Sequence, residues 1–275
     1  YVTDEDIHRS LQGKMDSTPG LDAITVEDLK NNMNIFKVLV NMCLWVRDIP
    51  SNWRRSVTAL IPKKTSTNPS DYRPITYGTV GYRVLSAIMA RRLQDQLEPH
   101  ACQKGFLPQD GTHEAITVCR YLAHSKAVIC GIDVAKAFDS VSQDSIFAVC
   151  QANGISGADL ELLRNMYRDC VTYLRVNGVH SRGIQIRRGV KQGCPLSPIL
   201  FNLVIDQLLR GLEQLGLGIQ IENRQLCSLG FADDLVLIGA DGGEVEELAR
   251  QASRLYKKVS LAINAKKTTL SGTDE

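Results

Sequence analysis

Two adjacent carboxylates near the end of the chain break a long apolar stretch. Asp233 and Asp234 lie between the apolar runs 226–229 and 235–238. Short apolar runs on either side of a polar break predict two strands joined by a tight turn. Strands joined by so short a connection pair antiparallel, and helical patterns follow strand patterns elsewhere. The sequence therefore predicts an α+β fold rather than a parallel α/β sheet.

A third carboxylate ends another strand-like run upstream. Residues 127–132 are apolar apart from Gly131 and lead directly to Asp133. Hard cations prefer oxygen ligands, and a two-metal centre takes carboxylates from separate elements that converge. Asp133 and Asp233 are the predicted ligands, with Asp234 as a weaker ligand or an organiser of the turn.

A Gly-rich loop between these two sites contains Gln192-Gly193 and leads into a helix that Pro198 can begin in its first turn. With the carboxylates, this loop makes the chain resemble the reverse transcriptase domain of non-LTR (LINE-type) retrotransposons, including site-specific elements that insert by target-primed reverse transcription. Further motifs that carry the resemblance are 17–24, 60–64, 71–75, 103–106 and 264–268.

The resemblance implies the fingers and palm of a right-hand polymerase, with an antiparallel palm sheet. The fingers would take residues 1–101 and 140–192, and the palm 102–139 and 193–275. The chain stops where a thumb would begin, so we expect the thumb to be absent here. A larger protein with thumb and endonuclease domains is the expected context.

The activity implied is RNA-directed DNA polymerase, a nucleotidyl transfer that copies an RNA template from a DNA primer or nicked target DNA with dNTPs. Two Mg²⁺ ions are the implied cofactors, and Mn²⁺ can substitute. A group II intron-type or domesticated host reverse transcriptase would share these motifs. A non-catalytic RNA-binding scaffold is the alternative from another class, although it has no need to keep three costly carboxylates together.

The resemblance also assigns roles to individual residues of the predicted palm. The metal ligands would be Asp133, Asp233, Asp234 and Val134. Lys267 matches a lysine that protonates the pyrophosphate leaving group, and its neighbour Lys266 is hard to distinguish from it.

The predicted nucleotide site involves both subdomains. The resemblance assigns the following residues to it: Lys63, Arg73, Lys136, Ala137, Phe138, Gln192 and Gly193. Lys63 and Arg73 would hold the β and γ phosphates, with Lys64 as a rival for Lys63. Successive amides after Asp133 would bind the triphosphate. The ring of Phe138 would lie beneath the sugar and exclude a 2′-hydroxyl, whereas Asp139 is interpreted as structural.

Composition sets the broad class of protein. With 275 residues and 44% hydrophobic residues, the chain can bury a large core. An acidic start and the lack of an apolar run of about 18 residues argue against a signal peptide or a membrane span. We expect an intracellular, nuclear protein with no membrane partner.

Charge and cysteine usage add two expectations. The net charge is +2, but residues 47–92 hold nine basic residues against two acidic ones and form a candidate phosphate-facing surface. A second basic group precedes the Gly-rich loop: Arg182, Arg187, Arg188 and Lys191. The eight cysteines and five histidines are dispersed, which predicts reduced core thiols and no zinc site.

Local patterns predict several elements. Thr3 and Thr25 suit helix N-caps, and the apolar spacing after Thr25 predicts one helix that continues to Leu44. Asn177-Gly178 predicts a type I′ hairpin. Helices are predicted at 82–97, 143–153, 159–170, 199–215 and 244–259, with a final strand at 262–270.

Overall fold

The computed structural model describes residues 1–12, 17–63, 68, 71–107, 111–124, 127–221 and 223–271. Within these ranges the chain divides into two compact units. The first comprises Tyr1–Leu97 and Cys150–Ser197, and the second comprises Glu98–Val149 and Pro198–Glu275. Each unit is formed by two separate stretches of sequence.

Helices and strands alternate along the chain, as the α+β prediction requires. The helices are α1 Asp4–Leu11, α2 Val26–Asn31, α3 Met33–Val46, α4 Val80–Gln96, α5 Gly111–Ala123, α6 Ala137–Ser140, α7 Gln143–Ala152, α8 Gly157–Tyr167, α9 Ser197–Glu213 and α10 Gly242–Lys258. The strands are β1 Arg55–Pro62, β2 Tyr72–Gly78, β3 Val128–Ile132, β4 Val171–Val176, β5 Val179–His180, β6 Ile184–Gln185, β7 Ile219–Ile221, β8 Arg224–Leu226, β9 Ser228–Phe231, β10 Asp234–Gly239 and β11 Thr269–Ser271. A mixed α+β architecture is therefore confirmed.

Both predicted threonine caps are present. Thr3 and Thr25 each accept from the amide three residues on, and each forms a capping box with an aspartate. The single helix predicted after Thr25 is wrong, because Asn32 leaves the helical conformation and separates α2 from α3. Its side-chain amide donates to the Asp28 carbonyl at 2.9 Å, a local bond that competes with helix continuation.

The sheet of the first unit has strand order β2-β1-β4-β5, with β6 also paired to β4. β1 and β2 are antiparallel, whereas β1 and β4 are parallel. Three buried threonines join the central strands. The Thr58 hydroxyl lies 2.7 Å from the hydroxyls of Thr76 and Thr172. These contacts satisfy polar groups inside the sheet.

The predicted Asn-Gly hairpin is confirmed. Asn177 and Gly178 have φ angles of 49° and 80°, the sign that a type I′ turn needs at both central positions. The turn pairs Val176 with Val179 across β4 and β5.

The second unit contains an antiparallel sheet in the order β11-β3-β10-β9. Its core includes Leu122, Leu229 and Ile238. The predicted strand 262–270 is mostly wrong. Ile263 forms only an isolated bridge, residues from Asn264 to Lys267 make a turn, and β11 covers Thr269–Ser271.

Much of the basic segment 47–92 serves the first unit itself. Four of its arginines donate to main-chain oxygens of that unit: Arg54, Arg83, Arg91 and Arg92. Arg54 also pairs with Asp48. These guanidinium groups therefore donate hydrogen bonds to nearby main-chain oxygens. The candidates for contact with phosphate in this segment are its other basic residues, such as Lys63 and Arg73.

All eight cysteines are free thiols, and six of them are buried. Burial raises the pKa of Cys150 to about 12, which suits an inert core thiol. Over the described ranges, every helix is too short or too polar to cross a bilayer.

The threonine cluster yields a stability prediction. Thr58→Val keeps the side-chain shape but leaves the Thr76 hydroxyl without this partner, so we expect the free energy of unfolding to fall by about 1–3 kcal/mol. Chemical denaturation would measure it. Thr117→Val is the matched control, since Thr117 bonds a carbonyl at an exposed position on α5. An equal decrease in the free energy of unfolding in both variants would show that burial of the threonine cluster adds no stability beyond that of an exposed hydrogen bond.

Candidate active site

Strand register brings two of the predicted carboxylates to one end of the second unit's sheet. Asp133 directly follows β3, and Asp234 is the first residue of β10. Leu235 pairs with Ile132 across these antiparallel strands. The same register continued by one residue sets Asp234 opposite Asp133, where paired residues approach within about 5 Å.

Asp233 lies in the turn that joins β9 to β10. Phe231 pairs with Asp234, so Ala232 and Asp233 form a two-residue connection. Ala232 has φ 57°, a left-handed conformation that tight hairpin turns require and that costs energy in a residue with a Cβ. The surroundings must therefore hold this turn.

Gln103 supplies part of that support. It is buried, and its Oε1 accepts from the Ala232 amide at 3.3 Å and from the Gly105 amide at 3.0 Å. Gly105 itself lies against the turn, because a Cβ there would meet the Ala232 nitrogen at 2.2 Å. The segment beginning at Gln103 thus backs the carboxylate turn.

The Asp133 carboxylate has two side-chain partners. Asn264 donates its Nδ2 to Oδ2 at 2.9 Å, and the Lys267 ammonium lies 3.4 Å from Oδ1. The Asn264 amide also donates to the Asp133 carbonyl at 2.8 Å. The turn that replaces the predicted last strand therefore places both side chains against the first carboxylate.

The three carboxylates lie close enough for their charges to affect one another. Asp234 is exposed as a residue, yet partial desolvation of its carboxylate raises its pKa, followed by the charges of Asp233 and Asp133, while Lys267 lowers it. Burial raises the pKa of Tyr256, and the charges of Asp233 and Asp234 raise it further. Like charges gathered in this way favour a bound cation.

The residues present fit a divalent metal centre. Asp133, Asp233 and Asp234 offer only oxygen ligands, the type that Mg²⁺ and Mn²⁺ prefer. The site also carries more negative than positive charge. Among the described residues, Asp133 forms an ion pair with the Lys267 ammonium, against three carboxylates in the site.

Val134 can contribute only a main-chain oxygen, because its side chain is apolar and buried. The Asp133 carbonyl and the Ala135 amide bond to the segment 262–264. Main-chain groups alternate sides along a strand, so the Val134 carbonyl points to the opposite edge, where β10 pairs.

Lys136, Ala137 and Phe138 form the turn that follows. Lys136 is exposed and has φ 48°, and Ala137 begins the short helix α6. A left-handed residue before a helical one aligns successive amides toward one side, a geometry that binds anions.

The Phe138 ring is partly exposed and packs against two other rings. It stacks on Phe201 with centroids 4.7 Å apart and an interplanar angle of 17°. Phe106 meets it edge to face at 5.9 Å and 80°. The ring is therefore oriented by aromatic packing.

Four other predicted nucleotide residues belong to the first unit. Lys63 and Arg73 are exposed, Lys63 just after β1 and Arg73 on β2. The Gln192 carbonyl accepts from the Thr76 amide of β2 at 2.7 Å. Gly193 has φ 103°, and a Cβ there would meet the Thr76 carbonyl oxygen at 2.9 Å, so glycine is needed. Lys64 lies outside the described residues.

Lys191 belongs to the second basic group defined from the sequence, but its side chain is largely inaccessible to solvent. It is buried, its ammonium lies 4.2 Å from the centroid of the Tyr82 ring, and it contacts the Cys170 sulfur at 3.4 Å. The cation is held by an aromatic face and a thiol, so it is not positioned to meet solvent phosphate.

Sequence reasoning assigned no role to five residues that contact the site or interact with its charges. They are Gln103, Phe106, Phe201, Tyr256 and Asn264. Gln103, Phe106 and Asn264 belong to the motifs 103–106 and 264–268, which carry the family resemblance. Their contacts depend on pairing between distant segments, which a single sequence does not display.

The chain is similar in sequence to a known family and to several known proteins. Residues 61–275 match the family model described as reverse transcriptase (RNA-dependent DNA polymerase). The Pol polyprotein of the type-2 retrotransposable element R2DM from Drosophila melanogaster is 36% identical over 97% of this chain and 26% of its own length. The R2 Pol polyprotein from Popillia japonica is 34% identical over 97% of this chain and 39% of its own length.

A more distant relative is the transposon TX1 149 kDa protein from Xenopus laevis, at 25% identity over 89% of this chain and 20% of its own length. The chain thus spans well under half of the relatives it matches. The match covers most of the chain and includes Asp133, Asp233 and Asp234, and the chain belongs to the reverse transcriptase (RNA-dependent DNA polymerase) family.

Proposed function

We propose that this chain is the polymerase region of a non-LTR retrotransposon protein of the R2 type, and that it copies RNA into DNA by two-metal nucleotidyl transfer. The observation that carries the proposal is the convergence of Asp133, Asp233 and Asp234 at one end of an antiparallel sheet. Similarity to R2 Pol polyproteins over 97% of the chain supports the retrotransposon class.

Two bound Mg²⁺ ions, for which Mn²⁺ can substitute, would activate the primer 3′-hydroxyl and neutralise charge on the phosphates. Asp133, Asp233 and Asp234 would hold them, with the Val134 carbonyl as a further ligand. Lys267, whose ammonium contacts Asp133, would protonate the pyrophosphate leaving group. The contact between Lys267 and Asp133 supports this lysine over its neighbour Lys266.

The palm would comprise residues 102–139 and 193–275, and the fingers residues 1–101 and 140–192. These ranges follow the second and first units except near their boundaries, because residues 98–101 and 140–149 belong to the second unit and residues 193–197 to the first. Lys63 and Arg73 would bind the β and γ phosphates, and the amides of Lys136 and Ala137 would bind the triphosphate. Gln192 and Gly193 would contact the nucleotide, where the glycine permits a close backbone approach.

The substrates proposed are an RNA template, dNTPs and a DNA primer, which in target-primed synthesis is the 3′ end of nicked target DNA. Such a reaction would take place in the nucleus. The matched region covers 26% and 39% of the two R2 relatives, so we also propose that thumb and endonuclease domains flank it in the complete protein.

The alternatives predict different behaviour. A group II intron-type or domesticated enzyme would share the chemistry, and the R2 similarity argues for the retrotransposon class. A non-catalytic scaffold would bind RNA without extending a primer. Its retention of three mutually repelling carboxylates would be unexplained.

Removal of one carboxylate tests the metal centre. Asp133→Asn or Asp233→Asn should lower Mg²⁺-dependent primer extension on an RNA template at least about a hundredfold, which is about 2.7 kcal/mol of transition-state stabilisation. EDTA should abolish the wild-type reaction, and excess Mg²⁺ should restore it. Asp95→Asn, at an exposed position of α4, is the matched control and should retain activity. Extension by Asp133→Asn within about tenfold of wild type would refute the assignment.

Arg73 tests the phosphate contact. Arg73→Ala should raise the KM for dNTP at least about fivefold, because a charge-assisted phosphate contact is lost, with a smaller effect on kcat. Arg250→Ala removes an exposed arginine of α10 and serves as control. A lower melting temperature with unchanged kinetics per folded molecule would make Arg73 structural instead.

Substitution of Phe138 tests whether its ring determines the preference for dNTP over rNTP. If its ring excludes a 2′-hydroxyl by contact, Phe138→Val should raise the kcat/KM of rNTP relative to dNTP at least about tenfold, whereas Phe138→Tyr should change it little. Single-nucleotide insertion with matched dNTP and rNTP provides the measurement. An unchanged ratio in Phe138→Val would assign the ring to the core.

A further inference from the structure

Phe106 has three properties that bear on the proposed nucleotide site. Its side chain is 46% exposed, its φ is 57°, and its ring packs edge to face against Phe138. An exposed phenylalanine buries little apolar surface, and a left-handed conformation costs energy in any residue with a Cβ. Strain of this kind persists only where the surrounding structure holds it.

The backbone before Phe106 is held from two sides. The Gly105 amide donates to Gln103, and the Gly105 carbonyl accepts from the Asn202 side chain at 2.8 Å. Asn202 is buried on α9, next to Phe201. The position of Phe106 is thus fixed by the same helix that supplies the ring stacked on Phe138.

The segment is also tied to the carboxylate turn. Gln103 accepts from the amides of both Gly105 and Ala232, and Gly105 leaves no room for a Cβ against Ala232. A movement of the Asp233 turn would therefore shift Gly105 and the adjoining phenylalanine. This linkage relates the aromatic cluster directly to the proposed metal centre.

Phe201 and Phe106 contact Phe138 in different ways. Phe201 is fully buried and stacks nearly parallel to the Phe138 ring, so it provides an immobile support. Phe106 approaches nearly perpendicular at 80° and limits the remaining freedom of the ring. A ring held by both contacts cannot tilt away from a sugar without losing aromatic packing.

We infer that Phe106 is a positioning residue for the Phe138 ring and that sugar selectivity depends on this pair of rings rather than on Phe138 alone. The inference rests on the proposed function and deepens it. The ligand class concerned is the ribose or deoxyribose of an incoming nucleoside triphosphate. Phe106 acts through Phe138, so its effect should vanish when the Phe138 ring is removed.

The test is single-nucleotide insertion on a DNA primer and RNA template by the complete protein that contains this chain, with enzyme in excess and matched dNTP or rNTP. Phe106→Gly removes the ring at a position whose positive φ suits glycine. It should lower the dNTP preference in kcat/KM about threefold to tenfold, while dNTP insertion persists. Phe106→Tyr keeps the ring and should preserve the preference.

A double variant separates positioning from direct contact. In a Phe138→Val background, Phe106→Gly should change the preference by less than about twofold, because residues that act through one another are not additive. Tyr121→Ala removes another exposed aromatic of the second unit and should leave the preference unchanged. Phe106→Leu provides a second ring-free variant, and nucleotide binding to a dideoxy-terminated primer gives the same ratio without chemistry.

The outcomes distinguish this inference from the proposed function. An unchanged preference in Phe106→Gly and Phe106→Leu, with a shifted one in Phe138→Val, would overturn the positioning role and leave the polymerase assignment intact. An equal loss in the Phe138→Val background would mean that Phe106 contacts the nucleotide itself. No insertion and no nucleotide binding by the complete wild-type protein would instead refute the proposed function.

Discussion

The antiparallel pairing of β3 with β10 is the constraint on which the site depends. It sets Asp234 beside Asp133, at the cost of bringing like charges together. The apolar faces of the same strands bury residues such as Leu237 and Ile238, which offsets that repulsion through the hydrophobic effect. The apolar residues of these strands thus stabilise the unit, whereas the carboxylates at their ends form the site.

A second layer of contacts holds the carboxylates in place without being chemically reactive. Gln103 supports the turn at Ala232, and Asn264 bonds Asp133 through both its amide and its side chain. Such partners fix the orientation of metal ligands and tune their basicity. They come from segments far from the carboxylates in sequence, so the site is a product of the whole second unit.

Several basic residues of the first unit have a structural role, although their clustering in the sequence suggested contact with phosphate. Arg54, Arg91 and Arg92 give the sequence a basic segment, yet their guanidinium groups bond main-chain carbonyls. Lys191 lies buried against Tyr82. Arginine suits such work because its planar group offers several donors in fixed geometry. The remaining exposed cations, including Arg73, are the better candidates for phosphate.

The sequence by itself determined the α+β class, the Asn177-Gly178 hairpin and the family, because turn chemistry, apolar periodicity and motif order are local properties. It also singled out Asp133 and the Asp233-Asp234 pair as a group. Only the tertiary structure decided that Lys267 contacts Asp133 and that Phe106 packs on Phe138. Those contacts follow from strand register and from segments that meet across long sequence separations, which no local pattern encodes.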